Sequence, residues 1–198
     1  MKNIILIGLF FFLMGCSVSV PALTEYRIDP MIKKNKVTSN LCKDKTITIG
    51  QVFTSNSLMT NQMRYGLSGY KEYSYTESEW ANAPSKSISI ALLKSVRDAE
   101  IFKSVNSYRS RARNDLLLET HVDSFMQYYT GDNNSSYVKV VFSFALVRVK
   151  DVKALDSIVI EKELSVDTLN AEGGVKALNF ALSEVLVETN LWLSEACK

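Results

Sequence analysis

The sequence predicts an α+β fold, an antiparallel β-sheet with two main helices packed on it. Three observations carry this expectation. The stretch "KTITIGQVF" (45–53) alternates apolar and polar side chains, the period of a half-buried strand. Three longer strand-like runs, 115–129, 137–150 and 157–167, are separated only by "TGDNNSS" and "KDVKALD", which suits a hairpin meander. Two further segments, 85–99 and 171–195, repeat their apolar residues at helical spacing instead.

Along the chain, "LTEYRID" (23–29) reads as a short first strand closed by Pro30, and "MIKKNKVTSN" as a polar, basic loop. After the strand at 45–53, "MRYGLSG" and "KEYSYTE" read as two more strands joined by a tight turn at Ser68-Gly69. "SEWANAP" breaks the pattern, and Pro84 suits the first turn of a helix, where its missing N–H is not needed. That helix sets Ile88, Leu92 and Val96 four apart, and Ala91, Leu93 and Ala99 widen the stripe. "FKSVNSY" is a short strand before the meander. The last helix gathers Val175, Leu178, Leu182, Val185, Leu186 and Leu193 on its buried side. In the middle strand of the meander, Val138, Val140, Phe142, Phe144 and Leu146 point one way, and Val141, Ala145, Val147 and Val149 the other. A strand apolar on both faces is expected to be central and covered on both sides. Two helices cover only one face easily, so the second reads as a contact surface: a ligand groove, a neighbouring subunit or another part of the same domain.

At the N-terminus an apolar run, residues 4–15, follows Lys2 and stops at Cys16. It is too short to cross a bilayer, which takes about 20 residues. A basic start, a short apolar stretch and small residues at its end are the layout of a secretory signal. Leu13-Met14-Gly15-Cys16 resembles the bacterial lipobox, in which the cysteine is acylated and the signal is cut in front of it. The alternative is an ordinary signal peptide or an uncleaved anchor in which Cys16 is incidental. The expected organisation is a lipoprotein signal peptide over 1–15, a lipidated N-terminus and linker over 16–23, and one folded domain over 24–198. Each buried acyl methylene contributes about 0.8 kcal/mol, and two or more chains hold a protein stably on a membrane. Ser17 rather than Asp follows the cysteine, which by the enteric sorting rule directs the protein to the periplasmic face of the outer membrane.

The chain carries 23 basic and 21 acidic residues, too even a balance for the basic face that nucleic acid requires. Cys42 and Cys197 form an even pair in an exported chain, so a disulfide is expected; two unpaired thiols are the alternative. Catalytic signatures are missing. Glu119, His121 and Asp123 share one strand face, spaced about 6.6 Å, but a polar, solvent-facing strand explains them and no metal is assigned. There is neither a G-x-S-x-G elbow nor a phosphate-binding glycine loop, and Gly173-Gly174 reads as a helix-start turn. No catalytic residue or cofactor is expected, and the chain is not read as an enzyme. In "SYRSRARN", Arg109, Arg111 and Arg113 form either a contact to phosphate headgroups or an acidic partner, or a solvated loop. Tyr65, Tyr70, Tyr73 and Tyr75 cluster beside Trp80, as an interface or as sheet packing.

Several stretches fall in a recognisable order: the lipobox, "YRIDP", "RYGLSGYKEYSYTESEWANAP", "LLLETHVDSF" and "ALNFALSEVLVETNLWL". Together, from Tyr26 to about Leu193, they resemble the ABC-type transport auxiliary lipoproteins, and within them the PqiC-like intermembrane transport lipoproteins. "YRIDP" stands where that family has its Y-x-L start, and "WANAP" where it has a Trp-Ala-x-x-Pro opening to the helix. The resemblance implies a non-enzymatic accessory subunit of a phospholipid transport system built on an ABC transporter. The subunit would be anchored through acylated Cys16 and would dock a periplasm-spanning mammalian-cell-entry (MCE) domain protein. It further implies self-association, and a structural or interfacial role for Tyr26, Trp80 and Pro84. Cys42, Cys197 and the polar loop at 31–44 are departures from the family's pattern. The tether from Cys16 to Tyr26 reaches at most about 35 Å, so the domain stays near its membrane. Two other readings stand beside this one. One is a stand-alone lipid-binding or lipopolysaccharide-assembly envelope lipoprotein, which needs an apolar cavity. The other is a structural envelope lipoprotein with no transport role.

Overall fold

The computed structural model describes residues 22–32, 41–67 and 70–197. The signal segment, Cys16, most of the linker and of the 31–40 loop, and the Ser68-Gly69 turn lie outside the described residues. Within them the elements follow as β1 (Thr24–Tyr26), β2 (Thr46–Thr54), β3 (Gln62–Leu67), β4 (Lys71–Trp80), α1 (Pro84–Asp98), β5 (Ser104–Ser107), β6 (Leu116–Tyr129), β7 (Ser136–Arg148), β8 (Lys153–Ser165) and α2 (Ala171–Glu195). A short 3₁₀ turn, Asn56–Met59, links β2 to β3.

The longest alternating run, β6, is the spine of the sheet. One of its edges pairs antiparallel along its length with β7, and β7 pairs antiparallel with β8. Two strands share the other edge, both parallel to β6: Ile47 of β2 lies opposite Leu116, and Tyr65 of β3 opposite Gln127. The sheet therefore forks, with β5 beyond β2 on one branch and β4 then β1 beyond β3 on the other. The expected α+β class is present, but the sheet is mixed rather than purely antiparallel. The meander β6–β7–β8 and the β3–β4 pair are antiparallel. β2 and β3 follow one another in the same direction because the 3₁₀ turn between them does not reverse the chain. β4 runs to Trp80, past the expected end, because Ser78–Trp80 pair with Thr24–Tyr26 of β1.

Both helices lie on one face, α1 over β2 and β5 and α2 over β6, β7 and β8, and they touch each other. Pro84 opens α1, and Asn170 caps α2 by accepting the Gly173 N–H at 2.9 Å. Ile88, Leu92 and Val96 of α1 and Leu178, Leu182, Val185, Leu186 and Leu193 of α2 are buried against Leu118, Val140, Phe142, Phe144 and Leu146. Truncating a fully buried member such as Leu182 to alanine costs about 2–5 kcal/mol, from lost burial plus the cavity left behind.

The second apolar face of β7 has a different fate from the first. Val141, Ala145 and Val147 are only half-buried, and no described element covers them. Side chains of the flanking strands shade them instead, among them the Lys139–Glu161 ion pair at 2.6 Å and the Ser143 hydroxyl donating to Asp123 at 2.7 Å. The expectation of cover on both sides is corrected: β7 is central in the sheet but buried on one face.

A disulfide joins Cys42, just before β2, to Cys197, just after α2, with Cα atoms 5.6 Å apart. Among the described residues the buried core runs from Cys42 to Ala196, with Tyr26, Ile28 and Ile32 packed against it from outside that span. Among the described residues no helix is long and apolar enough to cross a membrane.

Candidate functional site

The tyrosines singled out in the sequence do not form one patch. Strand alternation puts Tyr65, Tyr73 and Tyr75 on one face of the β3–β4 pair, and Tyr129 at the end of β6 joins them. The ring centroid of Tyr65 lies 4.7 Å from Tyr75, 5.3 Å from Tyr129 and 5.8 Å from Tyr73. The Tyr75 hydroxyl donates to Gln127 Oε1 at 2.9 Å and shares a 2.8 Å hydrogen bond with the Tyr129 hydroxyl. Gln127 is buried and donates through Nε2 to Ser136 Oγ at 3.0 Å. Burial, and then the bond to Tyr129, pushes the Tyr75 phenol well above the usual tyrosine range. Trp80 stands apart, buried against Phe125. Tyr70 is fully exposed, and Tyr26 lines a shallow depression of about 310 Å³ with Tyr75, Tyr129 and the first residues of α2. The cluster is thus mostly packing and hydrogen bonding, with Tyr26 and Tyr73 at its accessible rim.

The arginine run is divided as well. Arg109 lines a groove of about 390 Å³ between α1 and the β2–β5 branch. Arg113 lines a broader depression of about 890 Å³ with Lys45, Arg148, Lys150 and Asp115, at the end of the sheet that carries the disulfide. Arg111 is exposed in the loop between them. Two separate basic surfaces result, because residues 108–115 cross from the edge of β5 to the start of β6.

The groove beside α1 is the surface that the sequence reading missed. Its lining joins Ile49, Gly50 and Val52 of β2, Met59 of the 3₁₀ turn, Lys86, Ile90 and Leu93 of α1, and Tyr108 and Arg109. Leu93 widens the stripe of the helix as expected, partly buried against the core, and its remaining surface lines the groove beside the exposed Ile90. The one available signal was the pair Ile90 and Leu93, three apart and off the Ile88–Leu92–Val96 line.

On the open face of the sheet, the ring of His121 stacks on Phe53 with centroids 5.1 Å apart, and Asp123 accepts from Ser143. Glu119, His121 and Asp123 therefore act as surface groups. Among the described residues no cluster of histidine, cysteine or carboxylate side chains has the arrangement of a metal site. The same face exposes Phe53 and Val159, and Tyr128 stacks on Tyr137 with centroids 5.5 Å apart.

No protein-family model matches the chain, and no curated protein matches it by sequence. Its fold is shared with solved structures. Protein XCC0632 from Xanthomonas campestris, of the DUF330 family, overlays with a TM-score of 0.78 at 14% identity, covering 87% of this chain and 95% of that one. A second, uncharacterized protein overlays at 0.66 with 13% identity, covering 87% and 99%. Lipoprotein GNA1162 from Neisseria meningitidis overlays at 0.41 with 10% identity, covering 76% and 99%, too loosely to carry an argument.

Proposed function

We propose that the protein is a lipid-anchored, non-enzymatic cell-envelope subunit that docks a periplasm-spanning MCE-domain protein of an ABC-type phospholipid transport system. The observation that carries the reading is a sheet covered by helices on one face only, in a chain whose start resembles a lipobox. The open face of β6–β7–β8 offers half-buried valines ringed by charged and polar groups, the make-up of a surface that meets another protein. Acylation at Cys16 would hold the domain close to the outer membrane, within the reach of a short tether. Self-association fits the same surface, since a second copy is one way to cover it. The resemblance of the sequence to the transport auxiliary lipoproteins names the kind of partner.

The test is affinity capture of the tagged full chain from detergent-solubilised envelope, with bound proteins identified by mass spectrometry. Recovery of an MCE-domain protein with its ATPase and permease is the expected result. Recovery of none of them, from an extract in which another envelope complex stays intact, would overturn the proposal. A stand-alone lipid-binding lipoprotein is the second reading, favoured by the apolar groove beside α1.

A further inference from the structure

Three depressions on the molecule differ in chemistry. The one at Tyr26 carries Glu77 and Glu172, and the broad one at Arg113 carries Asp115 among polar loop residues. Among the described residues the groove beside α1 has no carboxylate in its lining. Ile49 and Val52 form its buried floor, and Met59, Ile90 and Leu93 its walls. Ile90 is 58% exposed although it sits on a helix whose other apolar residues are mostly buried, so this wall has no covering element among the described residues. Lys86 and Arg109 are the charged groups of the lining, and neither is in an ion pair among the described residues. Arg109 is held in place: its Nε donates to the Tyr108 hydroxyl at 3.1 Å, and its guanidinium carbon lies 5.4 Å from the Tyr108 ring centroid. A volume of about 390 Å³ is within the range of small-ligand sites.

An apolar trough with cations and no acid suits a ligand with one long apolar part and an anionic head. An added peptide strand suits it less. β5 stops at Ser107, opposite Ile49, and β2 bulges immediately afterwards, between Ile49 and Val52. The outer edge of β2 therefore changes register where a peptide would have to pair. We propose that the groove holds one acyl chain of an anionic amphiphile, with the head at Lys86 and Arg109. A free fatty acid and an anionic phospholipid share this chemistry. The inference deepens the lipid-transport reading and rests on it for the source of the amphiphile.

The experiment is photo-crosslinking in cells that carry the full chain and are fed a palmitate analogue bearing a diazirine and an alkyne. After irradiation the protein is purified and the modified peptides are mapped by mass spectrometry. Adducts are expected on 84–93 and 107–109, and their mass separates free acid from phospholipid. Ile90→Asp places a charge at an already exposed position and should lower the adduct yield about tenfold, with unchanged abundance and circular dichroism. Lys86→Glu combined with Arg109→Glu should lower it similarly. Adducts confined to 16–23, adducts equally frequent around Val159, or a yield indifferent to Ile90→Asp would each overturn the proposal. An envelope capture that recovers no transporter would leave the adduct pattern standing, and an unlabelled groove would leave a successful capture standing.

Discussion

Cys42 and Cys197 are 155 residues apart in sequence and 5.6 Å apart between Cα atoms, so one covalent bond closes nearly the whole folded domain. In the chain-entropy picture, a loop of that length raises stability by up to about 5 kcal/mol, because it removes open conformations from the unfolded chain. Cys42 is fully buried and its neighbours include α2, so the thiol form would also have to pack there. We expect Cys42→Ala with Cys197→Ala to shift the urea midpoint well below that of the oxidised protein. Wild type with reductant should fall to the same value. A midpoint unchanged by reductant would show that the bond contributes little.

The burial of Tyr75, reinforced by its bond to Tyr129, predicts an alkaline weakness. Its phenol is pushed up from the ordinary value of 10.0 in the folded protein, so in alkali the unfolded chain releases that proton first. The associated stability is complete below the unfolded value and is lost as pH rises toward the folded one. Tyr75→Phe removes this dependence but leaves Gln127 Oε1 and the Tyr129 hydroxyl without their partner, at a cost of about 1–2 kcal/mol near neutral pH. The urea midpoints of wild type and variant should therefore converge between about pH 8 and about pH 11. A constant gap would contradict the assignment.

The hairpin between β7 and β8 places Val152 at φ 53° with 82% of its surface exposed. A β-branched residue is strained there, and little packing compensates. Asparagine tolerates this backbone, as Asn133 does at φ 56° in the other hairpin of the meander. Val152→Asn should raise stability by about 1 kcal/mol, seen as a thermal midpoint a few degrees higher. A lower midpoint would mean that Val152 has packing worth more than its strain.

What could be read from the sequence was what local pattern determines. The meander was legible because alternation marks both β6 and β7 and the turn between them, 130–135, is rich in Gly, Asn and Asp. The α2 stripe was legible because Leu178, Leu182, Val185, Leu186 and Leu193 keep one helical face. The fork was not. That β2 and β3 share one edge of β6, in parallel, depends on pairings more than 60 residues apart that alternation does not encode. For the same reason the arginines looked like one run, although the chain carries Arg109 and Arg113 to different surfaces. The groove escaped notice because it is made by an absence, the early end of β5 at Ser107, which leaves Ile90 exposed and one side of the half-buried Leu93 open to the groove.

The open face of the sheet yields the last prediction. Val159 is 64% exposed and stands opposite Ser143, in the row that continues through His121 to Phe53. Since it is so exposed, Val159→Asp should change stability by no more than about 0.5 kcal/mol. If this face docks a partner, the same substitution buries an unpaired carboxylate in the interface, and a buried charge without a counter-ion is costly. We therefore expect Val159→Asp to fold and accumulate as wild type while recovering several-fold less partner in the envelope capture. Ile90→Asp, on the helical side, should leave that recovery unchanged. Equal recovery with Val159→Asp would move the docking surface elsewhere, and the two basic ends at Arg109 and Arg113 would be the next faces to test by charge reversal.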